Sequence, residues 1–478
     1  KFAATQTNTG LVRANRNTGN VVAAAFRHTA SRALDPQVHT HFVTANATWD
    51  QATGSWRAIT EYEMVSAIRY AGKAYQNELA RACLDLGYTL ETARDERGVV
   101  IGFELTGVSA DIRDRFSKRR AEIEQGIATF HRDHGRMPSK TEIHAITVQT
   151  RDSKLAEITT PEVLSAQLRQ LSPVEHQTLE GLKEAALYRK PEHSVAPRER
   201  ESVQLAIGHL FERRSVALGH EILAEALNQN LGHVDLPQLQ SQAEQAGLVA
   251  LDGRPWTRGS FATIGGIAEE RWSVSFVDRT KGTMPELGPA LAEPGPLSKE
   301  QREAVAHVLA STDQVVCLRG AAGVGKTTVL KALDRSLSAD NREVFYCAPT
   351  TSAADTLRSD GLTNATTVAR FLRNVAVDEP ARLHHAVLVI DEAGLASNRQ
   401  GAEILQLAER HGARVLFLGD SRQHTAVEAG DFLRVLERHS QLHRVELTEI
   451  RRQLAAEYRG AVHLMATGAV RAGLEKLD

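Results

Sequence analysis

Over residues 1–60 apolar and polar positions alternate, and Val, Thr, Ala and Phe dominate. Turn residues punctuate the pattern at Asn17-Thr18-Gly19-Asn20 and Ala52-Thr53-Gly54. That combination predicts antiparallel strands joined by tight turns. From Glu61 to about Ala82 the apolar spacing becomes helical, and a further hairpin is expected over Tyr88–Glu104 around Arg97-Gly98. Residues 109–170 are charged and helix-forming, with Pro161 and the stretch Lys190–Pro197 reading as linkers. Residues 200–250 give three short helical segments, one of them starting at Asp235-Leu236-Pro237 with an N-cap and a first-turn proline. A turn at Asp252-Gly253-Arg254-Pro255 and extended sequence follow, so this part reads as a winged-helix-like module. From Leu297 onward apolar strands alternate with helices, the pattern of a parallel sheet.

The expected architecture is therefore α/β and multidomain. It comprises an antiparallel-sheet α+β domain over 1–158, a helical, winged-helix-like linker domain over 159–288, and a parallel-sheet α/β domain from 289 to 478. A length of 478 residues accommodates three such cores. Lys+Arg of 57 against Asp+Glu of 59 excludes a polycationic tail but not a local basic groove. Three scattered cysteines, Cys83, Cys317 and Cys347, argue against a disulfide framework or zinc ribbon and for a reducing cytoplasm. No run of about 18 apolar residues occurs, so no membrane segment is expected. The chain opens on Lys1 in mid-pattern and is expected to be a piece of a longer protein.

Two constellations carry chemistry. The strand Val315–Leu318 runs into Gly320-Ala321-Ala322-Gly323-Val324-Gly325-Lys326-Thr327-Thr328 and then into a helix. This fits G-x-x-x-x-G-K-[ST] in strand–loop–helix context. Gly320, Gly323 and Gly325 let backbone N–H groups face phosphates, Lys326 neutralises the β- and γ-phosphates, and Thr327 with Thr328 opens the helix beside Mg²⁺. A second apolar strand, Val387–Ile390, ends in Asp391-Glu392, with Asp391 expected on Mg²⁺ and Glu392 polarising the attacking water. A third, Val415–Leu418, leads to Gln423, a candidate γ-phosphate sensor. ATP and Mg²⁺ are the implied cofactors.

The second constellation is His28, His39 and His41. Positions 39 and 41 share one strand face, and a neighbouring antiparallel strand can bring His28 opposite them. Three imidazoles with open positions suit a catalytic divalent metal, of unassigned identity, that binds a substrate oxygen. An incidental HxH in a strand is the competing reading of the spacing.

These motifs resemble two known families. Residues 296–453 look like the first motor domain of a RecD-like superfamily 1 helicase. Leu297–Gln301 resembles the segment whose glutamine contacts adenine, here Gln301. Ala348–Ala353 resembles the segment lining the single-strand track. Leu447–Gln453 resembles the motif with an arginine finger, placed at Arg452. Phe26–Asn46 is similar to the metal-binding segment of TrwC/TraI-type (MobF) conjugative relaxases, which implies metal ligation by His28, His39 and His41. Phe116–Arg120 and Thr150–Lys154 resemble later segments of that family. Lys118, Arg119, Arg120, Arg151 and Lys154 are candidate phosphate contacts, although such runs also form solvated helix faces.

The resemblance implies metal-dependent nicking of plasmid transfer-origin DNA coupled to ATP-driven unwinding. Single-stranded and duplex DNA would be the partners, with relaxosome accessory proteins and a type IV secretion coupling protein. The family's nucleophilic tyrosine precedes the histidines, yet residues 1–27 contain no tyrosine, and Tyr62 and Tyr70 lie downstream on an expected helix. The later helicase motifs are also not found before Asp478. A repair-type helicase with a non-catalytic N-terminal DNA-binding module, or a single-stranded-DNA-binding remnant without turnover, are the rival readings. Trp49 and Trp56 flank an expected hairpin turn, in packing or in base stacking.

Overall fold

The computed structural model describes residues 2–9, 12–96, 98–149, 160–189, 198–289, 297–320, 324–420, 429–448 and 471. They form two compact units. The first comprises residues 1–207, 218–246 and 254–259, the second residues 208–217, 247–253 and 260–478.

The first unit begins with three antiparallel hairpins: β1 (Ala4–Thr9) with β2 (Val12–Asn17), β3 (Ala23–Ala30) with β4 (Pro36–Thr44), and β5 (Thr48–Asp50) with β6 (Ser55–Arg57). Helices α1 (Tyr62–Ser66) and α2 (Ile68–Asp85) follow, then the hairpin of β7 (Leu90–Arg94) and β8 (Val100–Leu105). The helices α3 (Ala110–Arg115), α4 (Lys118–His134), α5 (Lys140–Gln149), α6 (Thr160–Leu168), α7 (Pro173–Tyr188) and α8 (Glu199–Arg213) continue the chain. Pro161, expected in a linker, instead sits in the first turn of α6. A proline there removes only an N–H that has no intrahelical partner, so it starts a helix as readily as it breaks one.

After β9 (Ala217–Leu218) come α9 (Gly219–Gln229) and α10 (Leu236–Glu244). Asp235 caps α10 by accepting from Gln238 N at 3.1 Å, as its sequence predicts. The core of this unit packs Val203, Ala206, Leu223, Leu227, Val234 and Leu239, with Tyr70 and Ala74 of α2 against them. Polar contacts fix α2 in place: buried Asn77 donates to Val234 O at 3.0 Å and accepts from Gly232 N at 2.9 Å. Arg69 pairs with Glu225 at 2.8 Å and Arg81 with Asp235 at 3.0 Å.

In the second unit β10 (Leu248–Ala250) pairs antiparallel with β11 (Ser260–Thr263), and α11 (Ile264–Arg279) follows. Next come α12 (Lys299–Ala310), β12 (Val315–Gly320), α13 (Lys326–Ala339), β13 (Val344–Ala348), α14 (Thr351–Ser359), β14 (Thr366–Thr367), α15 (Val368–Arg373), α16 (Val375–Asp378) and β15 (Val387–Ile390). The series closes with α17 (Asn398–His411), β16 (Arg414–Gly419), α18 (Phe432–His439) and β17 (His443–Leu447). Six strands make one parallel sheet in the order β14-β13-β15-β16-β12-β17. Their apolar runs are buried because helices cover both faces, giving one core around Leu318, Leu330 and Leu333 and another around Phe345, Phe371 and Phe417. The fold is α/β, with small antiparallel sheets toward the N-terminus and a RecA-like parallel sheet beyond them. No helix among the described residues is long and apolar enough to cross a membrane.

Candidate metal centre and nucleotide site

The register of β3 and β4 sets His28 directly opposite His39 and Phe26 opposite His41. With the two-residue period of a strand, all three histidines share one face. Their ring centres lie 5.3 Å (His28–His39), 5.2 Å (His28–His41) and 4.9 Å (His39–His41) apart. A metal held about 2.1 Å from each ring nitrogen sits about 3.2 Å from each ring centre, which tetrahedral angles translate into spacings of about 5 Å. The three rings are spaced accordingly. Nδ1 of His39 lies 2.9 Å from the carbonyl oxygen of Gln37, which orients that ring and leaves Nε2 for a ligand. Among the described residues no group of three His, Cys, Asp or Glu is placed so that it could hold a metal ion, these three histidines included. The side chains of His28 and His41 are exposed and that of His39 is half-buried.

One residue that the sequence shows only as part of the Asp35-Pro36-Gln37 turn organises this site. Asp35, 3% exposed, precedes Pro36 at the start of β4 and accepts from the backbone N–H of Lys118 at 3.1 Å. Nζ of Lys118 lies 3.2 Å from its other oxygen as an ion pair outside hydrogen-bond alignment. The start of α4 is thus fixed to the turn that feeds His39 and His41. An aspartate before proline in a turn was the available signal, but nothing in the sequence names its distant partner.

The candidate phosphate contacts among the described residues, Lys118, Arg119 and Arg120, are engaged by protein groups. Lys118 also donates to Gln170 at 2.7 Å, Arg119 pairs with Glu122 at 3.1 Å, and Arg120 pairs with Glu124 at 2.7 Å. The solvated-helix-face reading of that run fits these contacts. Arg151 and Lys154 lie outside the described residues. Trp49 and Trp56 face each other across β5–β6, edge to face at 5.6 Å, and remain 40% and 58% exposed. Tyr62 is 77% exposed, whereas Tyr70 is half-buried and burial pushes its phenol above the usual range.

In the parallel sheet every strand presents its C-terminal end to one edge, where open α/β sheets bind ligands. Gly320 ends β12, and a Cβ there would lie 2.7 Å from Val324 Cγ2 and 3.3 Å from the Leu447 carbonyl oxygen. Gly325, at φ +87°, caps α13; a Cβ would lie 2.4 Å from Nε2 of Gln301, so both conformation and space call for glycine. Lys326, Thr327 and Thr328 form the first turn of α13. Nζ of Lys326 donates to Gly320 O at 2.5 Å, bridging the two ends of the loop. Burial pulls its ammonium below the usual range, opposed by the nearby carboxylates of Asp391, Asp420 and Glu392.

Asp391 follows β15, two strands from β12, and β16 lies between them. Burial pushes its carboxyl above the usual range, while the Glu392 N–H at 3.0 Å and the charge of Lys326 act against that. Glu392 holds φ +50°, left-handed backbone that is rare outside glycine. Lys326, Asp391 and Asp420 therefore meet at one sheet edge. Gln301 is 3% exposed: its side chain accepts from Ser298 N at 3.1 Å and donates to Val324 O at 3.4 Å. It borders the loop but is engaged by protein groups. Gly323, Gln423 and Arg452 lie outside the described residues.

Comparison with known proteins matches residues 1–173 to the TrwC relaxase model and residues 296–478 to an AAA domain model. The multifunctional conjugation protein TraI of Escherichia coli is 27% identical over 270 residues, 55% of this chain and 14% of the relative. The ATP-dependent RecD2 DNA helicase of Deinococcus radiodurans is 33% identical over 166 residues, 33% of this chain and 22% of the relative. A solved structure of the conjugative relaxase TrwC with oriT DNA, metal-bound, is 30% identical, with a TM-score of 0.31, covering 38% of this chain and 57% of that one. The chain spans 11% to 22% of the length of the curated relatives it matches.

Proposed function

From a polypeptide that joins a TrwC relaxase region to an AAA domain, we propose a conjugative relaxase-helicase segment acting on plasmid transfer-origin DNA. The observation that carries this reading is the pairing of two phosphate-directed sites in one chain. One is the three-imidazole face of β3–β4, and the other is the loop of Lys326 opposite Asp391.

His28, His39 and His41 would hold a divalent metal, which when bound polarises a scissile phosphate and offsets its developing charge. Gln37 orients His39 through its carbonyl, and Asp35 holds the turn that delivers the histidine-bearing strand. The tyrosine that would form the covalent phosphodiester is assigned to no residue of this chain.

In the second unit the backbone N–H groups around Gly325 and the ammonium of Lys326 would receive the β- and γ-phosphates of ATP. Thr327 and Asp391 would complete the Mg²⁺ shell, and Glu392 would orient the attacking water. Gln301 would face adenine, while Gln423 and Arg452 would approach the γ-phosphate. Single-stranded DNA would stimulate turnover. A relaxosome and a secretion coupling protein would be the wider partners, in the bacterial cytoplasm.

The test is ATP hydrolysis by the purified chain with and without single-stranded DNA, together with its divalent metal content. Hydrolysis stimulated by DNA, and a bound metal lost on replacing the histidines, are expected. Hydrolysis with no metal binding would favour a repair-type helicase with a non-catalytic N-terminal module. Absence of basal and stimulated hydrolysis would overturn the motor assignment and leave a DNA-binding remnant.

A further inference from the structure

At the C-terminal edge of the parallel sheet β16 runs past its neighbour β15. Their pairing ends with Ile390 opposite Phe417, and β16 continues through Leu418 to Gly419. The chain leaving β15 turns there: Asp391 and Glu392 lead into a single 3₁₀ turn, Ala393–Leu395. Gly419 is buried against that turn. A Cβ built on it would stand 3.2 Å from Ala393 N, 3.3 Å from Gly394 N and 3.6 Å from the carbonyl carbon of Glu392. Non-bonded heavy atoms attract best at about 3.5–4.0 Å. A methyl group therefore fits only if one of the two backbones moves by a few tenths of an ångström.

β16 is the stiffer of the two. Its other edge is hydrogen-bonded to β12 in parallel register, from Val315 opposite Val415 to Arg319 opposite Gly419, and its residues are buried throughout. The turn is the partner that yields. Glu392 already holds φ +50°, a conformation that persists only where its surroundings impose it. From the side of β13, Cys347 O accepts from Asp391 N at 2.8 Å, which fixes the start of the turn. Within the turn, Asp391 Oδ1 accepts from Glu392 N at 3.0 Å and Glu392 O accepts from Leu395 N at 2.9 Å. From the side of β16, the bare Cα of Gly419 lets the turn lie flat on the sheet.

We propose that Gly419 is a positioning residue for nucleotide hydrolysis: having no side chain, it lets the turn after β15 seat against β16, and so sets where the Glu392 carboxylate stands. The proposal rests on the reading of Glu392 above as the group that orients the attacking water. Gly419 acts through the backbone of Glu392, Ala393 and Gly394 and not on the nucleotide. Hydrolysis is sensitive to such placement, because a displacement of about 1 Å can change a rate by about 100-fold.

The experiment compares Gly419→Ala, Gly419→Val, Glu392→Gln and the double variant Gly419→Ala/Glu392→Gln in the full chain. Gly265→Ala is the control, since its added methyl meets nothing within 4 Å. It measures kcat and KM for ATP, affinity for a fluorescent ADP analogue, and Tm. Gly419→Ala should lower kcat about threefold to tenfold, as a shift of a few tenths of an ångström implies, with KM and ADP-analogue affinity within about twofold. The bulkier Gly419→Val should lose more, at least about tenfold. Gly265→Ala should turn over like wild type. Glu392→Gln has already lost the carboxylate, so adding Gly419→Ala to it should cost nothing further. An unchanged kcat in Gly419→Ala, an equal loss in Gly265→Ala, parallel losses of kcat and ADP-analogue affinity, or a loss that adds in full to that of Glu392→Gln would overturn the proposal while leaving the ATPase reading intact. If Gly419→Val does not fold, Gly419→Ala and the double variant decide the same question. Wild-type turnover in Glu392→Gln would fail the reading of Glu392 instead, and a wild-type chain without turnover the ATPase reading; the positioning role falls with either.

Discussion

Asp35 and Lys118, 83 residues apart in sequence, are joined twice: the buried carboxylate accepts the Lys118 backbone N–H at 3.1 Å, and Nζ stands 3.2 Å from its other oxygen. The pairing ties the three-histidine ribbon to the start of α4. Removing the carboxylate leaves a helix-terminal N–H without its acceptor, a loss of about 1–3 kcal/mol. Asp35→Ala should therefore destabilise the protein by that amount in urea denaturation. Lys118→Met, whose side chain is 40% exposed, should lose no more than about 1 kcal/mol. Equal losses from the two would mean that the ion pair, rather than the backbone acceptor, holds the turn.

The histidine cluster predicts a sharper outcome. His39→Ala with His41→Ala removes two of three ligands, and divalent metal affinity should fall by more than the roughly 10–100-fold typical of losing an outer-shell partner. Isothermal titration with Zn²⁺ or Mn²⁺ measures this directly. Stability without metal should hardly change, because His41 is exposed and His39 only half-buried on the ribbon. An unchanged affinity would mean the ring spacing is incidental.

The contrast between Asp35 and the histidines shows what a sequence can display. His39 and His41 are visible because strand periodicity is local: two residues apart means one face. His28 needed only the next strand of a hairpin. Asp235 at α10 and Gly325 at α13 were legible for the same reason, since caps and glycine turns are decided within a few residues. Asp35–Lys118 and Glu300–Thr448 cross 83 and 148 residues, and no short-range pattern encodes such partners. Lys118, Arg119 and Arg120 show the opposite hazard: a basic run is conspicuous in sequence, but Glu122, Glu124, Asp35 and Gln170 engage it. Pro161 read as a break because the first turn of a helix and a linker accept proline equally well.

Lys326→Ala should lower ATP turnover by at least about 100-fold, the scale expected when a preorganised charge aimed at the reacting group is lost. The apo protein should not be weakened in proportion. Burial already disfavours the ammonium, which offsets the loss of its bond to Gly320 O at 2.5 Å. Steady-state ATPase and thermal unfolding on the same preparation separate the two effects. Turnover at the wild-type rate would contradict the phosphate-site assignment.

Asp391 gives the pH dependence. Burial raises its carboxyl pKa in the folded state, so folding favours the protonated form. The associated stability is fully present below the unfolded-state value, near 4, and is lost as pH rises through the folded-state value. Asp391→Asn mimics the protonated form at every pH. The variant should match wild type in acid, then become the more stable of the two as pH rises through and above the carboxylate range, provided Mg²⁺ and nucleotide are absent. Bound Mg²⁺ with ATP favours the ionised carboxylate, so its addition should narrow or reverse the difference while the variant's turnover falls at least about tenfold. Urea denaturation at a series of pH values, with and without Mg²⁺–ATP, checks each sign. A stability difference that does not change with pH would mean that the Asp391 carboxylate is solvated in the free protein, and the desolvated site at the tip of β15 would have to be abandoned.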